Sequence, residues 1–257
     1  MAVEFDAHDG IGFITLDRPP ANSYDGPFME EMDSAVDAAA ATAEAKAIVV
    51  RSASEKFFSA GADIKAFQQN SSEENMQMIE RAHRALAKIS DIPKVFVAQI
   101  SGHALGGGLE IALACDLRFG ADGGYKLGVP EVTLGLLPGN GGTQRLPRLV
   151  GRARALDLMV TGRTLSPTEA LEIGLLDRLA PADALAEKVE EFAAKLATGA
   201  TKAIGTIKLT AYRGLESGLE DGLALERKGI EELFGTEDAQ EGIRAFSEKR
   251  PPAFTGR

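Results

Sequence analysis

Residues 95–115 read Val-Phe-Val-Ala-Gln-Ile-Ser-Gly-His-Ala-Leu-Gly-Gly-Gly-Leu-Glu-Ile-Ala-Leu-Ala-Cys, and residues 127–144 read Leu-Gly-Val-Pro-Glu-Val-Thr-Leu-Gly-Leu-Leu-Pro-Gly-Asn-Gly-Gly-Thr-Gln. In a chain with 26% charged residues, the first run holds Glu110 as its only acid, beside His103, and the second holds only Glu131. A lone carboxylate in apolar surroundings is costly to ionise. It persists either as a structural acid satisfied by backbone N–H groups or as a tuned catalytic group. The residues alone leave both readings open.

Outward from these runs, the pattern is that of an α/β protein. Val95–Ile100 and Ala47–Arg51 are short continuous apolar runs, which read as buried strands; Gly12–Asp17 alternates and ends at Arg18-Pro-Pro. Phe28, Met32, Val36 and Ala39 recur at helical spacing towards Ala45, and Phe57–Lys65 reads as a glycine-containing loop. Ser71-Ser-Glu-Glu and Ser166-Pro-Thr-Glu are capping boxes that open helices, the first running to about Ser90 and the second closed by Gly174. Alternating strands and helices predict a largely buried, mostly parallel sheet. After a brief strand at Leu175–Leu179, helical patterns follow at about 182–197, 201–212, 217–234 and 236–249. The expected division is a core over 1–195 and a helical subdomain over 196–257. An apolar face on the latter (Leu219, Leu223, Leu225, Leu233, Phe234, Phe246) suits intrachain packing or assembly.

Composition narrows the function. At 257 residues the chain can bury a large core, and its net charge of −10 argues against nucleic acid or an anionic membrane as the main partner. No apolar run reaches the roughly 18 residues of a membrane span. The N-terminus lacks the basic and apolar regions of a signal peptide, and the single cysteine, Cys115, excludes an internal disulfide. A reducing, cytoplasmic setting is expected.

Several chemistries lack their motifs. Neither Gly-rich segment fits Gly-x-Gly-x-x-Gly, and no Gly-x4-Gly-Lys-Ser/Thr occurs. Three histidines without paired spacing and one cysteine give no metal site. Gly-x-Ser-x-Gly is missing, so a hydrolase would depend on His103, which reads better as a pocket-wall residue. What remains is two carboxylates on separate elements. Glycines 106–108, opening a helix, leave N–H groups unsatisfied and open to a ligand. If the fold joins them, they suit proton transfer next to a polarised carbonyl.

Three blocks carry a family resemblance: Phe58-Ser-Ala-Gly-Ala-Asp-Ile-Lys, Gly102 through Asp116, and Pro130-Glu-Val-Thr-Leu-Gly-Leu-Leu-Pro-Gly-Asn-Gly-Gly-Thr-Gln-Arg-Leu. Leu16-Asp-Arg-Pro, the segment 165–177 and Phe246-Ser-Glu-Lys-Arg-Pro-Pro-Ala-Phe support them. Together they resemble the signature blocks of the crotonase (enoyl-CoA hydratase/isomerase) family across essentially the whole chain. The resemblance implies a crotonase (ClpP/crotonase-like) spiral of ββα units with a helical C-terminal subdomain. It also implies an acyl-CoA substrate, and trimers commonly paired into hexamers. No metal or redox cofactor is implied, since CoA arrives as part of the substrate.

Position by position, the resemblance implies an oxyanion hole from the Ala62 and Gly107 N–H groups. Glu110 matches the glutamate that activates water, Glu131 the one that exchanges a proton with the substrate α-carbon, and Gly139 a backbone N–H near the water. Ala60, Asp63 and Ile64 fall in the CoA-contacting block. Lys56, Lys65 and Lys249 fall where cations meet the CoA phosphates, although solvated surface is an equal reading for each lysine. Two glutamates together favour hydration of a trans-2-enoyl-CoA to a 3-hydroxyacyl-CoA. The alternatives are another reaction of the family (isomerisation, or hydration of a branched, cyclic or aromatic acyl-CoA) and a non-catalytic acyl-CoA-binding protein. Two features depart from the pattern. Glu131 follows Glu110 by 21 positions, one more than expected, with Gly123-Gly124 the place for the extra residue. The loop Ala21-Asn-Ser-Tyr-Asp-Gly-Pro replaces the commoner Leu-Asn-Ala-Leu type.

Overall fold

A computed structural model describes residues 1–257. In chain order the elements are β1 (Val3–His8), β2 (Ile11–Leu16), α1 (Gly26–Ala41), β3 (Ala47–Ser52), β4 (Phe57–Ser59), α2 (Ile64–Gln69), α3 (Ser72–Asp91), β5 (Val95–Ile100), β6 (His103–Leu105) and α4 (Gly107–Ala114). Then come β7 (Leu117–Ala121), β8 (Leu127–Gly128), a 3-10 turn (Glu131–Leu134), α5 (Gly142–Val150), α6 (Arg152–Thr161), α7 (Pro167–Glu172) and β9 (Arg178–Ala180). Four helices close the chain: α8 (Leu185–Ala197), α9 (Thr201–Glu216), α10 (Leu219–Phe234) and α11 (Glu237–Glu248).

The strands form two sheets, in the orders β1-β2-β3-β5-β7-β9 and β4-β6-β8. Apart from the antiparallel β1–β2 hairpin, every pairing is parallel. Each turn of the chain lays one strand in the large sheet and the next in the small one (β3 then β4, β5 then β6, β7 then β8). Helices follow the first two of these pairs. That is the expected spiral of ββα units.

The large sheet explains the apolar runs. In β3, Ala47, Ile48, Val49 and Val50 are all buried: α8 packs on the strand and no position alternates to solvent. Helix α8 packs against β2, β3, β5 and β7, and α1 against α3. Both capping boxes form, at Ser71/Glu74 and Ser166/Glu169. Each satisfies two otherwise orphaned N–H groups and stabilises its helix by about 1 kcal/mol.

Other boundaries move. Residues 57–65 are not a plain loop: they hold β4 and the start of α2, strands and turns too short to show a period. Helix α1 stops at Ala41, where Thr42 caps it in an extended conformation. The strand expected at 175–179 is β9 at Arg178–Ala180. Leu175 and Leu176 are buried, but their N–H groups turn back to the Ala170 carbonyl at 2.8 and 3.1 Å.

Helix α9 is fastened to the core by a buried charge. Lys208 Nζ meets Asp116 Oδ2 at 2.9 Å and donates to the carbonyls of Ile89 (2.6 Å) and Lys94 (2.8 Å). Asp116 also accepts from the Phe96 N–H at 2.7 Å, so the ion pair joins α9 to β5. No helix is long and apolar enough to cross a membrane.

Candidate active site

Glu110 lies in the first turn of α4 and is 1% exposed. Its Oε1 accepts from the Asn140 N–H at 2.7 Å and the Gly142 N–H at 2.6 Å. Burial pushes its carboxyl pKa up; those two N–H bonds, Arg145 and His83 oppose the shift without cancelling it. Gly142 has no room for a side chain, since a Cβ there would stand 2.9 Å from Glu110 Oε1.

Asn140 anchors the whole turn that cradles Glu110. Its carbonyl accepts from Arg145 Nη1 at 2.9 Å, and its side-chain Nδ2 donates to the Tyr24 hydroxyl oxygen. The carbonyl of the preceding residue, Gly139, accepts from His83 Nε2 at 2.7 Å. That contact places the proton on Nε2 of the imidazole. The Gly139 N–H itself makes no hydrogen bond within the chain.

Glu131 begins the 3-10 turn after Pro130 and is half-buried. Its carboxyl lies over Gly106, the residue before α4. Its Oε2 is buried without a hydrogen-bond partner. Burial pushes its pKa up to about 7; its own backbone N–H pulls the other way, and the neighbouring Glu110 adds to the rise. The two lone carboxylates are therefore close enough to feel each other, both at the N-terminal end of α4.

Two unpaired donors lie at or against the same helix start. Gly107 occupies the first turn of α4, where N–H groups have no intrahelical acceptor. Ala62 lies in the loop between β4 and α2, and its N–H is also unpaired within the chain. The loop reaches the helix through Gly61: with φ +87° and a would-be Cβ 2.8 Å from the Leu105 carbonyl and 3.0 Å from Gly107 N, only glycine fits. Spacing along the chain carries no measure of this approach; the pairing of β4 with β6 brings it about.

Ala62 is held from its other side by Tyr24. The Tyr24 N–H donates to the Gly61 carbonyl at 2.9 Å, and the Asp63 N–H to the Tyr24 carbonyl at 2.8 Å. Tyr24 belongs to the unusual 21–27 loop, which buried Asn22 braces with bonds from Nδ2 to Ser52 Oγ (2.8 Å) and the Phe58 carbonyl (3.0 Å). Tyr24 and Asn140 are the site residues that the sequence patterns do not single out. The departure of that loop from the common type is the only signal of the former, and nothing marks the latter.

The remaining sequence candidates do not all fall in one place. Ala60 is half-buried and donates its N–H to the Ala21 carbonyl at 2.9 Å. Asp63 caps α2, accepting from the N–H groups of Lys65 (2.9 Å) and Ala66 (3.3 Å). Ile64 and Lys65 are exposed at the start of α2, whereas Lys56, also exposed, precedes β4, where its carbonyl accepts from the His103 N–H at 2.9 Å. Lys249 instead ends α11, and no hydrogen bond or ion pair joins it to the loop. His103 has a structural place: its ring packs on Phe57, and its Nδ1 accepts from the Lys126 N–H at 3.1 Å. Gly123 and Gly124 form an exposed bend between β7 and β8, so an extra residue there leaves both strands intact.

Known proteins share this fold across the whole chain. The profile of a family described as "Enoyl-CoA hydratase/isomerase" matches residues 6–257. A Bacillus subtilis protein named "Probable enoyl-CoA hydratase" is 41% identical over 248 residues, covering 96% of this chain and 95% of its own. A Clostridium acetobutylicum "Short-chain-enoyl-CoA hydratase" is 35% identical, covering 93% of this chain and 92% of its own. Among solved structures, an enoyl-CoA hydratase from Bacillus anthracis superposes with a TM-score of 0.95 at 36% identity, covering all of both chains. One from Geobacillus kaustophilus HTA426, described as "Enoyl-CoA hydrates", gives a TM-score of 0.97 at 44% identity, covering 100% of this chain and 97% of that one. The fold is thus the crotonase spiral, a scaffold for acyl-CoA enzymes. This chain belongs to the enoyl-CoA hydratase/isomerase (crotonase) family.

Proposed function

We propose that this enzyme adds water across the double bond of a trans-2-enoyl-CoA to give a 3-hydroxyacyl-CoA. The observation that carries the reading is the meeting of the buried Glu110 and half-buried Glu131 carboxylates beside two unpaired N–H groups, that of Gly107 at the start of α4 and that of Ala62 on the loop packed against it. In this reading the thioester oxygen accepts from the Ala62 and Gly107 N–H groups. Glu110, ionised, takes a proton from water as the water oxygen bonds to the β-carbon. The electron pair of the double bond moves onto the thioester oxygen as an enolate, stabilised by the two donors. Glu131, protonated near neutral pH, then gives its proton to the α-carbon. The unpaired Gly139 N–H is available to hold the attacking water.

The CoA portion is assigned to the exposed edge of the same loop: Ala60, Asp63 and Ile64 beside its path, with Lys56 and Lys65 towards its phosphates. Lys249, at the end of α11, would join them from a neighbouring subunit or from a rearranged tail. No cofactor beyond the CoA of the substrate enters this scheme. A cytoplasmic location and a trimer or paired-trimer assembly belong to the same proposal. Support for assembly is the apolar surface of the last three helices, where Leu215 is 88% and Phe246 87% exposed. The same proposal divides the chain into a core (1–195) and a helical assembly subdomain (196–257).

The test is loss of enoyl-thioester absorbance on mixing with crotonyl-CoA and a panel of longer, branched and aromatic enoyl-CoAs. Glu110→Gln should lower kcat about 1000-fold, in the range for removing a general base, with the melting temperature retained. Hydration of no enoyl-CoA in the panel, or full turnover by Glu110→Gln, would refute the reading.

A further inference from the structure

Two carboxylates and two N–H donors leave Tyr24 and Asn140 without a role. Both are buried, and Asn140 Nδ2 donates to the Tyr24 hydroxyl oxygen across 116 residues of sequence. Burying two hydrogen-bonded polar side chains gains little stability over an apolar pair of the same shape. Their placement is more telling. The Tyr24 backbone brackets Ala62 through its bonds with Gly61 and Asp63. Its hydroxyl fills the space beside Gly107, where any Cβ would overlap it. Asn140, holding that hydroxyl, also holds Glu110 Oε1 through its own N–H at 2.7 Å.

We propose that Tyr24, aligned by Asn140, is a positioning residue that locks the Ala62 and Gly107 donors and the Glu110 carboxylate into one rigid frame. The proposal deepens the hydratase reading and rests on it for its kinetic effect. Asn140 Nδ2 occupies a lone pair of the phenol oxygen and leaves the phenol proton uncommitted. Burial and the negative charges of Glu110 and Glu131 keep the phenol protonated, so it stays a donor throughout the working pH range. The groups facing Glu110 are then the N–H donors of Asn140 and Gly142 from the turn before α5, Arg145 from α5, and His83 from α3. Tyr24 from the 21–27 loop and Glu131 from the 3-10 turn complete the set.

Tyr24→Phe keeps the ring and the backbone bridge and removes only the oxygen. It should lower kcat about 10- to 100-fold with KM changed less than threefold, the pattern for an interaction made in the transition state. The acid limb of the pH–rate profile, set by Glu110, should move to higher pH. The double variant Tyr24→Phe/Asn140→Leu should be no slower than Tyr24→Phe alone, because the two act as one unit. A second readout does not depend on turnover: 13C NMR titration of the Glu110 carboxyl, assigned through Glu110→Gln, should show the same upward shift. A folded Tyr24→Phe enzyme with wild-type kcat and an unmoved Glu110 titration overturns the proposal. If the wild-type protein hydrates no enoyl-CoA, the hydratase reading fails separately, and the NMR titration still decides the role of Tyr24.

Discussion

Gly106 is the seat of Glu131: a methyl group on Gly106 would stand 2.9 Å from Glu131 Oε1. The residue that ends the β6 turn into α4 thereby fixes a carboxylate 25 positions later in the chain. Gly106 also sits at φ +54°, a backbone conformation that a side chain disfavours. Gly106→Ala should displace the Glu131 carboxyl and lower kcat about 100-fold, the scale of a misplaced catalytic group. Steady-state hydration of crotonyl-CoA measures it. A variant with wild-type kcat would show that Glu131 does not need this seat.

Glu131 should make both rate and stability depend on pH near neutrality. Its carboxyl rises from an ordinary 4.5 to about 7 on folding, so between those values the native protein holds a proton that the unfolded chain has lost. Its contribution is fully present below about pH 4.5 and is lost as pH rises through 7. Denaturant titrations at pH 5 and 8 should therefore show the wild type losing more stability than Glu131→Gln, by on the order of 2 kcal/mol. In the rate profile, the alkaline limb should fall near pH 7 in the wild type, while Glu131→Gln should lose most of its turnover at every pH.

Gly61→Ala tests the closure of the oxyanion loop. The variant combines a positive φ of 87° with contacts of 2.8 Å to the Leu105 carbonyl and 3.0 Å to Gly107 N. Backbone strain alone costs about 1–2 kcal/mol. Loss of one well-placed donor costs about 100-fold or more in kcat. The expected result is a lower melting temperature together with that kinetic loss, with no change in far-ultraviolet circular dichroism.

Lys208→Met tests the fastening of α9. Removing the ammonium leaves the buried Asp116 carboxylate without its 2.9 Å partner. Breaking a buried pair on one side typically costs about 3–5 kcal/mol. Urea unfolding should show a loss of this size, and the double variant Lys208→Met/Asp116→Asn should recover part of it.

Part of this organisation is legible in the residues alone. The capping boxes at Ser71 and Ser166 can be read from four consecutive residues because every atom involved lies within one helical turn. Buried strands such as Ala47–Val50 announce themselves by unbroken apolar runs, and Glu110 and Glu131 stand out by the absence of other charge around them. Strands of two or three residues, such as β6 and β8, are too short to carry a period and leave no such mark. In α5 it is the opening Gly142 and the internal Pro147 that mask the helical pattern.

The sequence by itself determined which groups are chemically unusual, since composition decides what a carboxylate or a glycine cluster has for neighbours along the chain. Only the tertiary structure decided which of them meet. Parallel pairing of β4 with β6 brings Gly61 onto Gly107, and the spiral returns the chain so that Gly106 supports Glu131 and Tyr24 reaches Asn140. Those contacts join segments separated by tens of residues. Their geometry is set by strand register and close packing, which no local pattern of residues encodes.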